Sequence, residues 1–145
     1  MAEAKGVRWV WLKVMYIWTI IIAGGFGLMM ILAPDTAHAM FNDPCDPATY
    51  GMLGSVFMAF ALVSILGLRA PLKFVPVLFF QLIYKAIWFV GVVLPLGIAG
   101  KLTADVMSSV VIFGLTIVGD LIAIPFAYIL AKQPITRPDT SPAPG

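Results

Sequence analysis

Lys85 and Asp120 are ionisable residues inside long apolar stretches of the sequence, where charges are rare. Gln81, Tyr84, Lys85 and Trp88 are spaced i, i+3, i+4 and i+7, so an α-helix would carry all four on one face. A lysine inside a membrane costs at least about 2.5–3.5 kcal/mol on insertion scales, and such residues face the protein interior and have a partner. We therefore expect a pair between Lys85 and Asp120, with Gln81 and Tyr84 as hydrogen-bond partners.

This polar group has two interpretations. The first is a structural clamp between two helices, with Thr116 as a further hydrogen-bond partner of the pair. The second is a functional site for proton transfer or for the polar headgroup of a ligand. Because desolvation can cancel the Coulomb attraction of a buried ion pair, such a pair is weak evidence for added stability. Both interpretations stay open at this point.

The composition is typical of a protein that lies within a lipid membrane. Of its 145 residues, 61% are hydrophobic and 11% are charged, and the mean hydropathy is +1.02. So few charges cannot solvate the surface of a globular domain of this size. We therefore expect an integral membrane protein in contact with lipid, without a soluble catalytic module. The net charge of +2 gives no support for nucleic-acid binding.

The cysteine and histidine content limits the chemistry further. Cys45 is the single cysteine and His38 the single histidine, which excludes an intramolecular disulfide, a CxxC redox pair and a bis-histidine haem site. Asp35, Asp43 and Asp46 lie close to them in sequence, but the spacing matches no zinc or calcium motif. We expect no metal, no cofactor held by this chain alone, no catalytic residue and no independent enzymatic activity.

Four apolar runs predict an all-α fold with four membrane-spanning helices, at about 10–33, 48–68, 72–94 and 104–130. Each run reaches the roughly 20 helical residues that a hydrocarbon core of about 30 Å requires. We expect Pro34 and Pro95 to end the first and third spans and Pro125 to kink the fourth, because proline cannot continue a regular helix. The sequence therefore predicts an integral membrane four-helix bundle with short loops.

The positions of the basic residues orient these helices. Lysine and arginine near helix ends are retained in the cytoplasm, and outside the spans only Lys101 falls on the side opposite the termini. We predict one domain, 1–133, in a bacterial inner membrane with both termini cytoplasmic. A disordered cytoplasmic tail of low apolar content follows at 134–145. A cleaved signal peptide is the alternative, since Ala37-His38-Ala39 fits a small-x-small cleavage site.

Small residues at four-residue spacing predict close contacts between helices in a membrane, because they let two backbones approach. In the first, second and fourth spans these residues are Ala23 and Gly27, Ser55 and Ala59, and Gly119, Ala123 and Ala127. We expect these faces to pack within the chain or against a membrane partner.

Several stretches are similar to those of a known family. They are Ala33-Pro34, Asp46-Pro47, Gln81-Leu82-Ile83-Tyr84-Lys85-Ala86-Ile87-Trp88 followed by Pro95, and Gly119-Asp120-Leu121-Ile122-Ala123-Ile124-Pro125. In these the chain resembles the DoxX-like group of small four-helix bacterial membrane proteins. The resemblance implies the fold, and it implies no catalytic residue. Some members are quinone-linked oxidoreductase subunits or membrane accessory proteins.

Three functions are compatible with these observations. The leading hypothesis is an accessory or structural subunit that packs against a membrane protein partner or forms a homo-oligomer. The alternative is a binding protein or carrier for a small amphiphile, a quinone or a lipid, at a polar site made by Gln81, Tyr84, Lys85, Trp88 and Asp120. The third is a DoxX-like subunit of a quinone-linked oxidoreductase, in which a partner supplies the cofactor.

Overall fold

The computed structural model of the chain describes residues 7–41 and 46–131. Within these ranges the chain forms helices and no strand. The elements are α1 (Trp9–Leu32), α2 (Pro34–Phe41), α3 (Pro47–Arg69), α4 (Val75–Trp88), a π-helical turn (Phe89–Val93), α5 (Leu94–Ile98), α6 (Ala104–Ala123) and α7 (Phe126–Ala131). The tail predicted at 134–145, and Asp43 and Cys45 of the first loop, lie outside the described residues.

Four helices are long and apolar enough to cross a membrane, judged by length and composition: α1, α3, the continuous stretch Val75–Ile98, and α6. The shortest of them has 20 residues, which corresponds to about 30 Å of helix. Large apolar side chains such as Val10, Ile21 and Leu115 are exposed on their outer faces. The prediction of an all-helical chain with four apolar helices is confirmed.

The closest contact between helices joins α1 and α3. A Cβ atom on Gly27 would lie 2.9 Å from the carbonyl oxygen of Gly54, and a Cβ on Gly54 would lie 2.9 Å from the carbonyl oxygen of Gly27. Nearby, a Cβ on Gly24 would come within 3.3 Å of the Cβ of Ala61. Because these separations leave no room for a side chain, the two backbones can meet only at residues without one.

The prediction that Ser55 and Ala59 form a packing face of the second span is wrong for contacts within the described part of the chain. Ser55 and Ala59 are both exposed, and the contact is made by Gly54 and Ala61 instead. The two sets are nearly neighbours in sequence, but one residue along a helix is a rotation of about 100°. Since α3 is apolar on nearly all sides, composition alone does not indicate which of its faces turns inward.

The other predicted packing residues have mixed outcomes. Gly27 is in the α1 contact just described, and Ala23 is half-buried. Gly119 lies against the sulfur of Met15, and Ala123 is buried in the core. Ala127 is exposed and belongs to α7, beyond the end of α6, so it does not continue the stripe of Gly119 and Ala123.

The third span differs from the prediction at both ends, since it begins at Val75 and passes through Pro95 to Ile98. The π-helical turn directly before Pro95 explains this continuation. In it the amide of Leu94 donates to the carbonyl of Phe89, five residues back. Wider spacing there relieves the clash that proline makes with the preceding turn. The helix ends instead at Ile98, and Gly100 follows the C-cap with a φ of 66°, which suits glycine just after a helix C-terminus.

The fourth span is interrupted, where the sequence predicted only a kink. Helix α6 ends at Ala123, and Ile124 is extended with φ −68° and ψ 120°, the conformation that a following proline imposes. Helix α7 resumes after Pro125. The guanidinium of Arg8 donates to the carbonyl oxygen of Ile122 at 3.4 Å, so a cation from the start of α1 caps the negative end of α6.

The first loop contains a short helix that the sequence analysis missed. Pro34 ends α1 as predicted, but it also occupies the first position of α2, where its fixed φ is favourable. Ala37 of α2 is fully buried against Met30 and Tyr50. Among the described residues no group of three potential metal ligands comes together.

The start of α3 is capped as the pair Asp46-Pro47 predicts. One carboxylate oxygen of Asp46 accepts from the backbone amides of Ala48 and Thr49, and the other accepts from the Thr49 hydroxyl. These bonds, that from the Thr49 hydroxyl first among them, lower the pKa of the Asp46 carboxyl below its usual range. The cap therefore carries a negative charge beside the positive end of α3.

The contact between α1 and α3 gives the first prediction. Replacing Gly27→Leu should lower the free energy of unfolding by about 1–3 kcal/mol or more, because the added side chain overlaps the backbone of α3. The measurement is thermal or chemical unfolding in mild detergent. Gly25→Leu is the matched control, since a Cβ there meets nothing within 4 Å. Equal stability of the two variants would contradict the contact.

Candidate functional site

Polar side chains from four helices are buried in the interior of the molecule. Gln81 and Lys85 of α4 are 4% and 3% exposed, and Asp120 of α6 is fully buried. The others are Thr19 of α1, Ser64 of α3 and Thr116 of α6. We call these six residues the polar interior. Lys85 lies about 15 Å along the helix from Val75 and about 20 Å from Ile98, which places it at mid-helix.

Helix α1 supplies hydrogen-bond partners for two residues of the polar interior, Gln81 and Thr116. The hydroxyl of Thr19 donates to Gln81 Oε1 at 3.1 Å and also lies 2.9 Å from the carbonyl oxygen of Met15. The indole of Trp18 donates to the hydroxyl of Thr116 at 3.0 Å. The sequence analysis expected Gln81 and Thr116 to bond the charged pair and missed both partners in α1. The available signal was Thr19 itself, a hydroxyl within an apolar run.

Lys85 and Asp120 come close, but they do not form the hydrogen-bonded pair that the sequence predicted. Their charges interact, and Tyr16 and Tyr84 are near enough to Asp120 to share that interaction. Neither carboxylate oxygen of Asp120 has a hydrogen-bond partner among the described residues. The expected contact is therefore replaced by attraction across a gap.

The ammonium of Lys85 faces aromatic rings. Its Nζ lies 4.8 Å from the ring centroid of Tyr84 and 5.4 Å from that of Phe113. A cation within about 6 Å of a ring face is attracted by the quadrupole of the ring, with about 2 kcal/mol or more when the pair is desolvated. This cation–π contact helps to keep the lysine in the apolar interior while its carboxylate neighbour stays out of hydrogen-bond range.

An aromatic cavity of about 530 Å³ lies on the other side of these rings. Its walls come from α1, α3, α4 and α6, and most of the lining side chains are aromatic. They are Met30, Tyr50, Leu53, Val56, Phe57, Phe60, Phe80, Tyr84, Trp88, Ser109 and Phe113. Phe80 is 61% exposed and Val56 47% exposed, so the cavity opens on the apolar outer surface of the helices.

A small chamber of about 20 Å³ lies beside Lys85. It is lined by polar groups of Trp18, Thr19, Gln81 and Thr116 together with the lysine. A space of this size holds one water molecule, since about 10–15 Å³ is sufficient when polar partners are present. Phe57, Tyr84 and Phe113 line both the chamber and the aromatic cavity, and they form the wall between the two.

Aromatic contacts fix the position of that wall. The ring of Tyr84 lies 5.5 Å from Phe60 and 6.3 Å from Phe113, and Phe113 lies 5.1 Å from Trp88. Tilted and edge-to-face pairs at these distances contribute about 0.5–1.5 kcal/mol each beyond the area they bury. Of the site residues predicted from sequence, Tyr84 and Trp88 line the cavity and Gln81 and Lys85 line the chamber behind its wall, whereas Asp120 lines neither space.

A larger groove of about 730 Å³ runs between α4 and α7 and includes Lys73. None of the residues of the polar interior lines it. Its walls are mostly apolar, and Phe79, Phe80 and Ile83 among them are exposed on the outer surface of the helices. The aromatic cavity is the stronger candidate, because one layer of side chains, Phe57, Tyr84 and Phe113, separates it from the polar chamber beside Lys85.

Comparison with known proteins gives no match: no family model, curated protein or solved structure is significantly similar to the chain. The DoxX-like resemblance therefore stays a prediction from sequence.

A double-mutant cycle tests the interaction between Lys85 and Asp120. Lys85→Met and Asp120→Asn should each lower the free energy of unfolding by about 3 kcal/mol, because each leaves a buried charge without its neighbour. The double variant should recover most of this loss. The measurement is unfolding in detergent, with Lys13→Met at an exposed site of α1 as the control. Additive losses would show that the two charges do not interact.

Proposed function

We propose that the protein is an integral membrane protein that binds a small amphiphile, a quinone or a lipid, in the aromatic cavity. The observation that carries the proposal is the position of this cavity. It opens on the apolar surface and is separated from the buried lysine by the wall of Phe57, Tyr84 and Phe113. A ligand could therefore enter from the lipid and lie beside the buried polar residues that line the chamber.

The dimensions and walls of the cavity fit such a ligand. Its volume of about 530 Å³ is within the roughly 300–1,000 Å³ of small-molecule sites. Flat rings stack on aromatic side chains, and an apolar tail would leave through the opening between Val56 and Phe80 towards the lipid. Carbonyl or phosphate oxygens could accept a hydrogen bond from the hydroxyl of Ser109, the serine in the lining.

The same proposal includes the arrangement in the membrane: a four-helix bundle in a bacterial inner membrane, with both termini and the tail at 134–145 cytoplasmic. Two contacts support a common end for the basic segments. The hydroxyl of Tyr16 donates to the carbonyl of Pro71 at 2.7 Å, and Arg8 reaches Ile122. The two contacts connect the first part of α1 to the loop that carries Lys73 and to the end of α6. A common end for these segments agrees with the retention of basic residues in the cytoplasm.

Filling the cavity should weaken ligand binding. In Ser109→Phe, the new ring occupies the space of the ligand, and we expect the Kd to rise at least about tenfold, or about 1.4 kcal/mol. The probe is a benzoquinone with a decyl tail, titrated into protein in lipid nanodiscs, with the quenching of tryptophan fluorescence as the readout.

Ser108→Phe is the matched control, because the neighbouring residue is exposed and does not line the cavity. Unchanged affinity in Ser109→Phe would overturn the site. No saturable binding of the quinone, together with no lipid retained by the purified protein, would overturn the function.

A second candidate function is that of an accessory subunit, and it is supported by the small residues left on the outside of α3. Gly51, Ser55 and Ala59 follow one another at four-residue spacing, Ser55 and Ala59 are exposed, and a Cβ on Gly51 meets nothing within 4 Å. A helix of a partner, or of a second copy, could approach closely on this face. A quinone-linked oxidoreductase would combine both functions, with the redox cofactor on the partner.

This second function predicts the loss of an association. Ser55→Trp should separate the chain from its partner or from its second copy, because the indole keeps the two helices apart. The measurement is the mass of the complex released from the membrane in mild detergent. Leu115→Trp on the exposed face of α6 is the control. If the unaltered protein is released as a lone monomer, the accessory function is excluded.

A further inference from the structure

Asp120 is the buried carboxylate of the polar interior. It is fully buried, and neither of its oxygens has a hydrogen-bond partner among the described residues. A carboxylate in an apolar interior is tolerated when donors surround it, when a cation binds it directly, or when it takes up a proton. The first two conditions are not met by the described residues, which leaves protonation as the way to neutralise the group.

The titratable groups around Asp120 come from the two long helices that pack against α6. Helix α1 contributes Tyr16, and α4 contributes Tyr84 and Lys85. The short helix α2 also touches α6, but its Asp35 and His38 are exposed on its surface. Lys85 is the cationic side chain whose charge is coupled to the carboxylate, and it also lines the water-sized chamber.

We propose that Asp120 is an intramembrane acid that binds and releases one proton, which reaches it from water in the chamber through Lys85. In the first step the ammonium of Lys85 gives a proton to the carboxylate, so one N–H bond breaks and one O–H bond forms. In the second step the amine takes a proton from a hydronium ion in the chamber, leaving water. The reverse sequence releases the proton, and the net change is one bound proton.

Two features of the structure favour exchange over a fixed pair. The ammonium lies against the rings of Tyr84 and Phe113 rather than in a hydrogen bond to the carboxylate, so no direct contact holds the charges in one state. Thr116, which lines the chamber, is four residues before Asp120 on the same face of α6. The chamber wall at Thr116 and the acid are thus one helical turn apart on α6, and Lys85 lines the same chamber.

Infrared difference spectroscopy of the full chain in lipid nanodiscs tests this proposal without any ligand. As the pH is lowered, we expect the carbonyl stretching band of a protonated carboxylic acid to appear, and to shift in heavy water. The band should be absent in Asp120→Asn and displaced in Asp120→Glu. In Lys85→Met it should persist to higher pH, because the cation that favours the carboxylate form is gone. Asp105→Asn, in the first turn of α6, should keep the band.

The chamber is tested by the rate of exchange. In Ala23→Leu the added side chain fills the chamber from its α1 wall. The band of this variant should not shift in heavy water within the time in which the band of the unaltered protein shifts. Gly25→Leu is the control, because that position is open.

The results that overturn the proposal are distinct. Carboxylate bands alone at every pH at which the protein stays folded would mean a permanently charged Asp120. A band that neither titrates nor shifts in heavy water would mean a permanently neutral one. Because no ligand is involved, both outcomes leave the test of the aromatic cavity unaffected.

Discussion

The close approach of α1 and α3 is the constraint on which the interior depends. At Gly27 and Gly54 the backbones touch, and no side chain can separate them. Further along the same helices, the ring of Tyr16 lies against Gly67, where a Cβ would collide with it. With α1 fixed in this way, Thr19 faces the interior and can bond Gln81 of α4. Gln81 of α4 and Thr116 of α6 therefore find their hydrogen-bond partners on a helix that carries no charge at that level.

Tyr84 links the two halves of the candidate site. Tyr84 lines the aromatic cavity, and it also lines the small chamber beside Lys85. A ligand that displaced this ring would also remove part of the surroundings of the Lys85 ammonium, which lies 4.8 Å from the ring centroid. Contents of the cavity and charge of the interior are thus physically connected through one side chain, although no polar residue of the chamber reaches the ligand space directly.

The sequence predicted the parts of this structure that depend on one segment alone. Apolar length gave the four long helices, and the i, i+4 spacing placed Gln81 and Lys85 on one buried face. The contacts between helices could not be predicted in this way. Because α3 is apolar on nearly all sides, its sequence does not indicate which face turns inward. Small-residue spacing therefore predicts Ser55 at the contact with α1, where the structure has Gly54. The partner of Gln81 came from α1, and no periodicity within α4 could reveal it.

Proline shows the same limit. Pro95 and Pro125 are the same residue in similar apolar surroundings, yet the first is passed by a continuous helix and the second ends one. The difference lies in the backbone before each of them, since a π-helical turn precedes Pro95 and an extended Ile124 precedes Pro125. Such local geometry depends on which backbone carbonyls find a hydrogen-bond donor nearby, and the proline residue alone does not specify it.

The π-helical turn at Phe89–Val93 also gives the third span two helical phases. One extra residue in a turn rotates everything after it by about 100° relative to a regular α-helix. Lys85 and Trp88, before the turn, are therefore positioned independently of Leu94–Ile98, after it. Deleting a single residue within the turn would restore a regular helix and swing one half against the other. Chain length in this segment is consequently more tightly constrained than residue identity, because substitution preserves the phase and deletion does not.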